Sequence, residues 1–238
     1  MVQKTVAKIQ SIEEITSDIK IFTLYIENPL EYSPGQFINI QHQTEDNKKI
    51  NRAYSIASKP KNNGNNYIEL CIKKVEEGIF TPKLWEMDIG EELNIMGPLG
   101  LFTPKSTTNK YTILIGTGVG IAPLRPILKS ELEKKEEIDL IYGARHLYQM
   151  CYKNEFENLQ KNSNNFNFIP TLSRPENNNA REEIKNTGYV HEHLNKIETK
   201  KLLNSDIFIC GSSSMVNETI EKLKKLGVDP ENIKKEIF

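Results

Sequence analysis

Gly116-Thr117-Gly118-Val119-Gly120-Ile121-Ala122-Pro123 follows a short apolar run, Tyr111-Thr112-Ile113-Leu114-Ile115, and opens a helical stretch. Glycines at such a turn let the backbone approach a pyrophosphate, whose charge is favoured at a helix N-terminus. The third glycine comes one residue earlier than in GxGxxG, and glycine-rich turns of this kind also serve packing alone. The next apolar run, Ile138-Asp139-Leu140-Ile141-Tyr142, ends in Gly143-Ala144-Arg145 with no acid. An acid there would suit a ribose 2′-hydroxyl, whereas an arginine suits a 2′-phosphate. Ser173-Arg174 adds a hydroxyl and a second guanidinium, which favours NADP over NAD; the plain alternative is two surface arginines. Arg52-Ala53-Tyr54-Ser55 is a set of another kind. Strand alternation puts Arg52 and Tyr54 on one side and Ser55 on the other. A cation for a diphosphate, an aromatic ring to stack and a small hydroxyl make a flavin-shaped set, and the same residues also fit an ordinary half-exposed strand.

Those residues need elements to hold them. In the first hundred positions, β-branched and aromatic residues alternate in Ile19–Glu27, Phe37–Ile40, Ala53–Ile56 and Tyr67–Ile72. Turn chemistry at Asn28-Pro29, Ser33-Pro34-Gly35 and Asn62–Asn66 separates them, which predicts an antiparallel barrel. From about residue 104 strands alternate with helices: a helix from Ile121 to about Glu137, strands at Phe166–Ile169, Ile207–Cys210 and Ile233–Phe238, and an amphipathic helix over Met215–Leu226. That alternation predicts a parallel sheet with crossover helices. The expected domains are 1–104 and 105–238, divided near Pro104–Asn109.

Composition narrows the function class. With 238 residues, 26% charged and 37% hydrophobic, and 31 Lys+Arg against 32 Asp+Glu, the net charge is −1. No charge surplus points to nucleic acid. No apolar run approaches the roughly 18–20 residues of a membrane span, and Met1–Thr5 leads straight into a strand-like stretch without a signal-peptide core. Cys71, Cys151 and Cys210 stand too far apart for a CxxC metal site or a cysteine-ligated cluster. A sparse, odd cysteine count predicts a reducing, cytoplasmic setting. His191-Glu192-His193 is not read as a metal site, since residues two apart on a helix do not share a face, and Lys222, Lys224 and Lys225 read as a solvated helix face.

The chain resembles the ferredoxin–NADP⁺ reductase family over nearly its whole length. The resemblance is carried, in order, by Pro34-Gly35-Gln36-Phe37, Arg52–Ser58, Leu70–Lys74, Gly78–Leu84, Gly97-Pro98-Leu99-Gly100, Gly116–Pro123, Tyr142–Arg145, Leu172-Ser173-Arg174, Cys210-Gly211 with Met215, and Glu236-Ile237-Phe238. It implies an N-terminal antiparallel flavin-binding β-barrel followed by a parallel-sheet α/β domain that binds NADP. Arg52 would then bind the FAD pyrophosphate and Tyr54 would stack on the isoalloxazine, with Ala53 between them. Ser55 would bond near the flavin N5. Cys71, Ile72 and Lys73 would lie along the FAD, and Gly78, Phe80 and Thr81 would form the helix start that holds its phosphate. Thr117, Gly118, Val119 and Pro123 would meet the NADP pyrophosphate, and Gly143, Arg145, Ser173 and Arg174 its 2′-phosphate end. Cys210, Gly211, Met215 and Glu236 would surround the nicotinamide with Ser55, and Phe238 would stack on the second flavin face. Ser55, Cys210 and Glu236 are the implied catalytic residues. Ser212-Ser213-Ser214 replaces prolines that the family often has there, Thr81 replaces a serine, and Pro175-Glu176-Asn177 offers no lysine or tyrosine to the phosphate.

The implied activity is hydride transfer between NADPH and FAD, with single electrons passed to a separate carrier, ferredoxin or flavodoxin. Two alternatives stand beside it. One is an NADH-dependent reductase serving an oxygenase or cytochrome; the other is a non-catalytic flavin-binding subunit of a larger complex.

Overall fold

The computed structural model describes residues 2–44, 47–105 and 107–238. Met1, and Ser106 within the expected boundary segment, lie outside the described residues. Two compact units form, Met1–Pro104 with Arg125–Ile127, and Lys105–Leu124 with Leu128–Phe238.

The first unit is built on β1 (Gln3–Thr16), β2 (Ile19–Leu30), β3 (Phe37–Gln43), β4 (Lys49–Ser55), β5 (Asn65–Lys73), a short helix α1 (Thr81–Glu86) and β6 (Glu92–Leu99). The strands form one sheet in the order β4-β3-β6-β1-β2-β5, with every pair antiparallel. Its two outer strands are drawn together by a bridge between Ile56 and Leu70 and by the Ala57 N–H, which donates to the Glu69 carbonyl at 2.8 Å. The sheet thus closes on itself around Ile9, Phe22, Leu24, Ile26, Ile38, Ile40, Ile68 and Leu70, all buried. Alternate inward residues supply that core, as the strand period requires. One expected turn is absent: β2 runs through Asn28-Pro29 to Leu30. Its ladder with β5 is interrupted between Tyr25 and Leu30, so the proline occupies a stretch where no ladder donor is needed.

The second unit contains β7 (Tyr111–Thr117), α2 (Ile121–Glu131), β8 (Glu137–Ala144), α3 (Lys153–Asn162), β9 (Phe166–Leu172), α4 (Asn178–Glu183), α5 (Thr199–Leu203), β10 (Ser205–Gly211), α6 (Ser213–Lys225) and β11 (Ile233–Ile237). The five strands are all parallel, in the order β11-β10-β7-β8-β9. Thr112–Gly116 and Ile138–Ala144 are buried at every position, the continuous burial expected of parallel strands covered on both faces. Helix α2 stops six residues short of the expected Glu137, which instead opens β8. Two carbonyls past the helix end, those of Leu132 and Lys135, accept from the Asn165 side-chain amide at 2.8 and 3.1 Å, and this fixes the exit.

At the opposite end of the sheet from the glycine loop, Lys135 Nζ lies 2.7 Å from Asp206 Oδ2, and both side chains are largely buried. Thr107 Oγ1 and Asn109 Nδ2 also donate to that carboxylate, at 2.6 and 2.9 Å, and Asn109 reaches Asn232 Oδ1 at 3.2 Å. Burial alone would push the Asp206 carboxyl up, but the bonds from Lys135, Thr107 and Asn109 outweigh it and hold the group below its ordinary value. Among the described residues no helix is long and apolar enough to cross a membrane.

Candidate functional site

In the second unit the strand order brings the chemistry-bearing residues to one edge. Thr117, Ala144, Leu172, Gly211 and Ile237 end the five strands on the same side, the carboxyl edge where open α/β sheets bind ligands. One register row runs Glu236, Cys210, Gly116, Tyr142, Pro170; one step further on, Ile237 pairs with Gly211, Thr117 with Gly143, and Gly143 with Thr171.

Two glycines of the loop after β7 are required for different reasons. Gly118 has φ +54°, and a Cβ there would meet nothing within 4 Å; the loop takes a left-handed turn beneath open space. At Gly120 a Cβ would come 2.3 Å from the Cys210 carbonyl oxygen and 2.9 Å from the Phe238 ring. The loop therefore presses directly on β10. Tyr142 Oη donates to the Gly118 carbonyl at 3.0 Å and fixes that turn from below. A 3₁₀ turn over Gly118–Gly120 runs straight into α2, whose first N–H, that of Ile121, donates back to the Gly118 and Val119 carbonyls; no side chain caps that turn, and neither it nor the first turn of α2 holds an acid. Pro123 sits in that first turn, where its missing N–H breaks no helical bond.

Cys210 and Glu236 are direct neighbours in the β10–β11 register. Burial, with the Glu236 charge adding to it, raises the Cys210 thiol well above its ordinary value. Burial likewise pushes the Glu236 carboxyl up to about 7, and its Oε2 is shielded from solvent with no hydrogen-bond partner among the described residues. A partnerless buried carboxylate oxygen is costly in a folded protein and points to a missing donor. Beside it the Phe238 N–H donates to the Gly211 carbonyl at 3.3 Å, while the ring, 59% exposed, covers Gly120. Thr117 and Met215 crowd Gly211, whose Cβ would fall 2.4 Å from Thr117 Oγ1 and 2.2 Å from Met215 Cε. Gly143 is similarly closed in by Val190, at 2.7 Å from its Cβ position.

On the far half of this edge, the Ser173 N–H donates to the Ala144 carbonyl at 3.0 Å and the Arg174 N–H to the Arg145 carbonyl at 2.9 Å. Both arginine side chains are exposed, and neither makes an ion pair among the described residues.

In the first unit, Arg52 is exposed on β4 and its Nη1 donates to the Asn51 carbonyl at 3.0 Å. Tyr54 stands opposite Ile38, partly buried against the barrel core, with its ring 6.2 Å from that of Phe80. Burial raises its phenol to about 12, so it stays neutral. Ala53 is exposed between them and Ser55, half-buried, pairs with Phe37. Cys71 and Ile72 are buried, and Lys73 makes a 3.2 Å ion pair with Asp18. The Thr81 hydroxyl is already used: it donates to the Val75 carbonyl at 3.1 Å and accepts from the Val75 N–H at 2.9 Å. Gly78 lies under that turn, with its Cβ position 2.9 Å from the Val75 carbonyl oxygen.

A family model described as an oxidoreductase FAD-binding domain matches residues 6–103, and one described as an oxidoreductase NAD-binding domain matches residues 114–221. The solved structure of a ferredoxin NADP⁺ reductase from Neisseria gonorrhoeae, with bound FAD and NADP, superposes with a TM-score of 0.85 at 20% identity, covering 98% of both chains. This chain is a ferredoxin reductase-like oxidoreductase. Among curated relatives of this reductase-like chain, the phenol hydroxylase P5 protein of Acinetobacter pittii is 30% identical over 241 residues, covering 100% of this chain and 66% of the relative. A component of the Na⁺-translocating NADH-quinone reductase of Klebsiella pneumoniae is 34% identical over 197 residues, covering 76% and 47%. The chain thus spans between about half and two thirds of the length of these relatives.

Of the residues expected from this reductase-like sequence, the second unit gathers Thr117, Gly118, Val119, Gly143, Arg145, Ser173, Arg174, Cys210, Gly211, Glu236 and Phe238 along one sheet edge. Met215 is buried behind Gly211 and contributes packing there. In the first unit, Arg52 and Tyr54 share one side of β4, while Ile72 points into the barrel and could offer a ligand only its backbone. Two contacts were not anticipated: the Tyr142 hydroxyl bonds the Gly118 carbonyl, and Glu176 accepts from the Leu147 N–H; a strand-interior tyrosine and a loop glutamate carry no sequence signal for such roles. His191 and His193 lie on a 3₁₀ turn (Val190–Lys196), not an α-helix. There His193 is buried against Thr171, while His191 faces Glu218.

Proposed function

We propose that this chain transfers hydride between NADPH and FAD and passes electrons singly to a separate carrier protein, ferredoxin or flavodoxin. The observation that carries the reading is the Cys210–Glu236 pair at the sheet's carboxyl edge, with a shielded Glu236 oxygen lacking a donor. FAD, when bound, supplies a centre that takes up two electrons as hydride and releases them one at a time. The residues fit it: Arg52 presents a cation with no acid partner among the described residues to a diphosphate, and Tyr54 a neutral ring.

The remaining work belongs to the chain itself. The backbone of the 3₁₀ turn Gly118–Gly120 ahead of α2 holds the nucleotide pyrophosphate, and Arg145 and Arg174 hold its 2′-phosphate. Glu236, titrating near neutrality, can accept a hydrogen bond at Oε2 from a carboxamide N–H, or hold a proton there. Cys210 stays a thiol and lines the pocket as a small, uncharged wall. Phe238 must leave Gly120 before a nicotinamide can reach this edge.

A second reading, an NADH-dependent reductase serving an oxygenase or a quinone reductase, is favoured by the relatives' names: one is a phenol hydroxylase component, the other an NADH-quinone reductase component. Anaerobic addition of NADPH and NADH to the FAD-loaded protein separates the two. Faster bleaching of the flavin band by NADPH supports the first reading, and faster bleaching by NADH the second. Binding of FAD with no bleaching by either nucleotide would leave a non-catalytic flavin subunit.

A further inference from the structure

Among the amino ends of β7, β8 and β9, away from the carboxyl edge, the second unit holds a cavity of about 510 Å³. Tyr111 and Glu137 open β7 and β8, and Asn167 is the second residue of β9; the 3₁₀ turn Val190–Lys196 and α5 complete the wall. The lining shares no residue with the edge that carries Gly118, Cys210 and Glu236. Its ionic groups are largely spent on one another. Lys201 Nζ lies 2.8 Å from Glu137 Oε1 and 2.7 Å from Asp139 Oδ2, and the Asn167 amide donates to both carboxylates, at 2.9 Å to Asp139. Lys196 donates to Asn186 Oδ1 at 3.2 Å. Lys196, Lys200 and Lys201 stand against Glu137, Asp139 and Glu198, so neither sign is in excess. Tyr111, Phe168, Ile169 and Ile197 supply ring and aliphatic surface. A concave site of this size, apolar over much of its wall and with few polar groups left to use, is the usual form of a small-molecule pocket.

His193 is the lining residue with a shielded polar atom left over. The Thr171 hydroxyl gives its one proton to the Gly188 carbonyl at 3.2 Å, so its oxygen accepts from His193 Nε2 at 3.0 Å. Burial, with Lys196 adding to it, lowers the His193 pKa and keeps the ring neutral. A neutral ring protonated at Nε2 leaves Nδ1 as a bare acceptor, and that nitrogen is shielded from solvent with no hydrogen-bond partner among the described residues. An acceptor left unmade in a buried ring is costly, and the cavity beside it is where a donor can enter. We propose that this cavity binds an uncharged ring compound bearing an N–H or O–H group, which donates to His193 Nδ1. The balanced charges give an ion no handle, the rings and isoleucines take up an apolar body, and the orphan nitrogen selects for a donor at its rim. The site is separate from the one assigned to the nucleotide and does not depend on that assignment.

Indole and N-methylindole test this, since they differ only in the N–H donor. Equilibrium dialysis against the whole chain, with FAD added, should show saturable binding of indole and binding of N-methylindole about five- to tenfold weaker, the worth of one net hydrogen bond. In wild-type protein carrying isotope-labelled histidine, the His193 Nδ1 resonance should be that of an unprotonated nitrogen. It should move to the hydrogen-bonded position with indole and much less with N-methylindole. His193→Gln keeps a donor for Thr171 but has no counterpart of Nδ1, so the difference between the two compounds should disappear. Saturating NADP⁺ or NAD⁺ should leave the affinity for indole unchanged, because the cavity and the carboxyl edge share no residue. Equal affinities for the two compounds would mean that solvent satisfies Nδ1, and overturn the proposal. So would a protonated Nδ1, the absence of saturable indole binding, or displacement of indole by nucleotide. The labelled wild-type protein decides the matter even where His193→Gln does not fold.

Discussion

Glu236→Gln is the most informative single change. Burial holds the Glu236 carboxyl near 7 against an ordinary value of 4.5. A rise of that size corresponds to about 3 kcal/mol of penalty on the charged form, and solvent at a half-buried side chain reduces this to about 2 kcal/mol. Since the folded-state value lies above the unfolded one, the penalty is absent below the unfolded pKa. It grows as pH rises from about 4.5 and levels off once pH passes about 7. Glutamine never carries the charge. The variant should therefore nearly match wild type in stability at about pH 4 and exceed it by about 2 kcal/mol at pH 8, a difference of about 4–8 °C in Tm for a protein of this size. The same change should slow anaerobic flavin reduction about 10- to 100-fold, the worth of one charge-assisted hydrogen bond, and remove an inflection near pH 7 from the rate profile. Parallel melting curves at the two pH values and stopped-flow reduction across the range decide it. Equal stability at pH 8 would mean that the carboxylate is better solvated than its surroundings imply, and a retained inflection would assign the titration to another group.

Replacing Arg145 and Arg174 together by Ala should lower the NADPH-over-NADH preference by about 2–3 kcal/mol; competitive assays with both nucleotides check this, and unchanged selectivity sinks the 2′-phosphate assignment. Deleting Phe238 should tighten binding of both nucleotides, because its ring must otherwise leave Gly120; an unaltered KM for NADH would show that the ring is not in the way. Asp206→Asn leaves Lys135 without its buried partner and should destabilise the protein by about 3 kcal/mol in urea titrations at neutral pH. Because the Asp206 carboxyl is held below 3.8, its contribution is full above that value and is lost as pH falls through the folded pKa. The gap between variant and wild type should therefore close in strong acid.

Much of this molecule is legible in its residues. The period-two runs around Phe22, Leu24 and Ile26 do line a barrel, and the apolar runs ending at Gly116 and Tyr142 do lie side by side in a parallel sheet. The glycine loop is readable because only a narrow set of residues tolerates its geometry. What local sequence does not show is how side chains are spent. The Thr81 hydroxyl is consumed by Val75, six residues back, and Lys73 by Asp18 on a neighbouring turn. The end of α2 depends on Asn165, far away in the chain. Strand β2 continues past Pro29 because the partner ladder happens to be open there. Tyr142 and Glu176 belong to the same class: each acts on a backbone group brought near only by tertiary structure.

The position of β7 in the middle of its sheet has a consequence for how the protein is made. Its neighbours are β8, which follows at once, and β10, which leaves the ribosome only after α3, β9, α4 and α5. Until then the Ile113-Leu114-Ile115 edge of β7 has no strand to pair with, although these residues are fully buried in the finished fold. A nascent or truncated chain ending before Ser205 exposes an apolar, open strand edge, the kind that recruits other chains. Half of the nucleotide edge therefore matures late, and it is β10 that closes the open edge of β7 before β11 is added outside it.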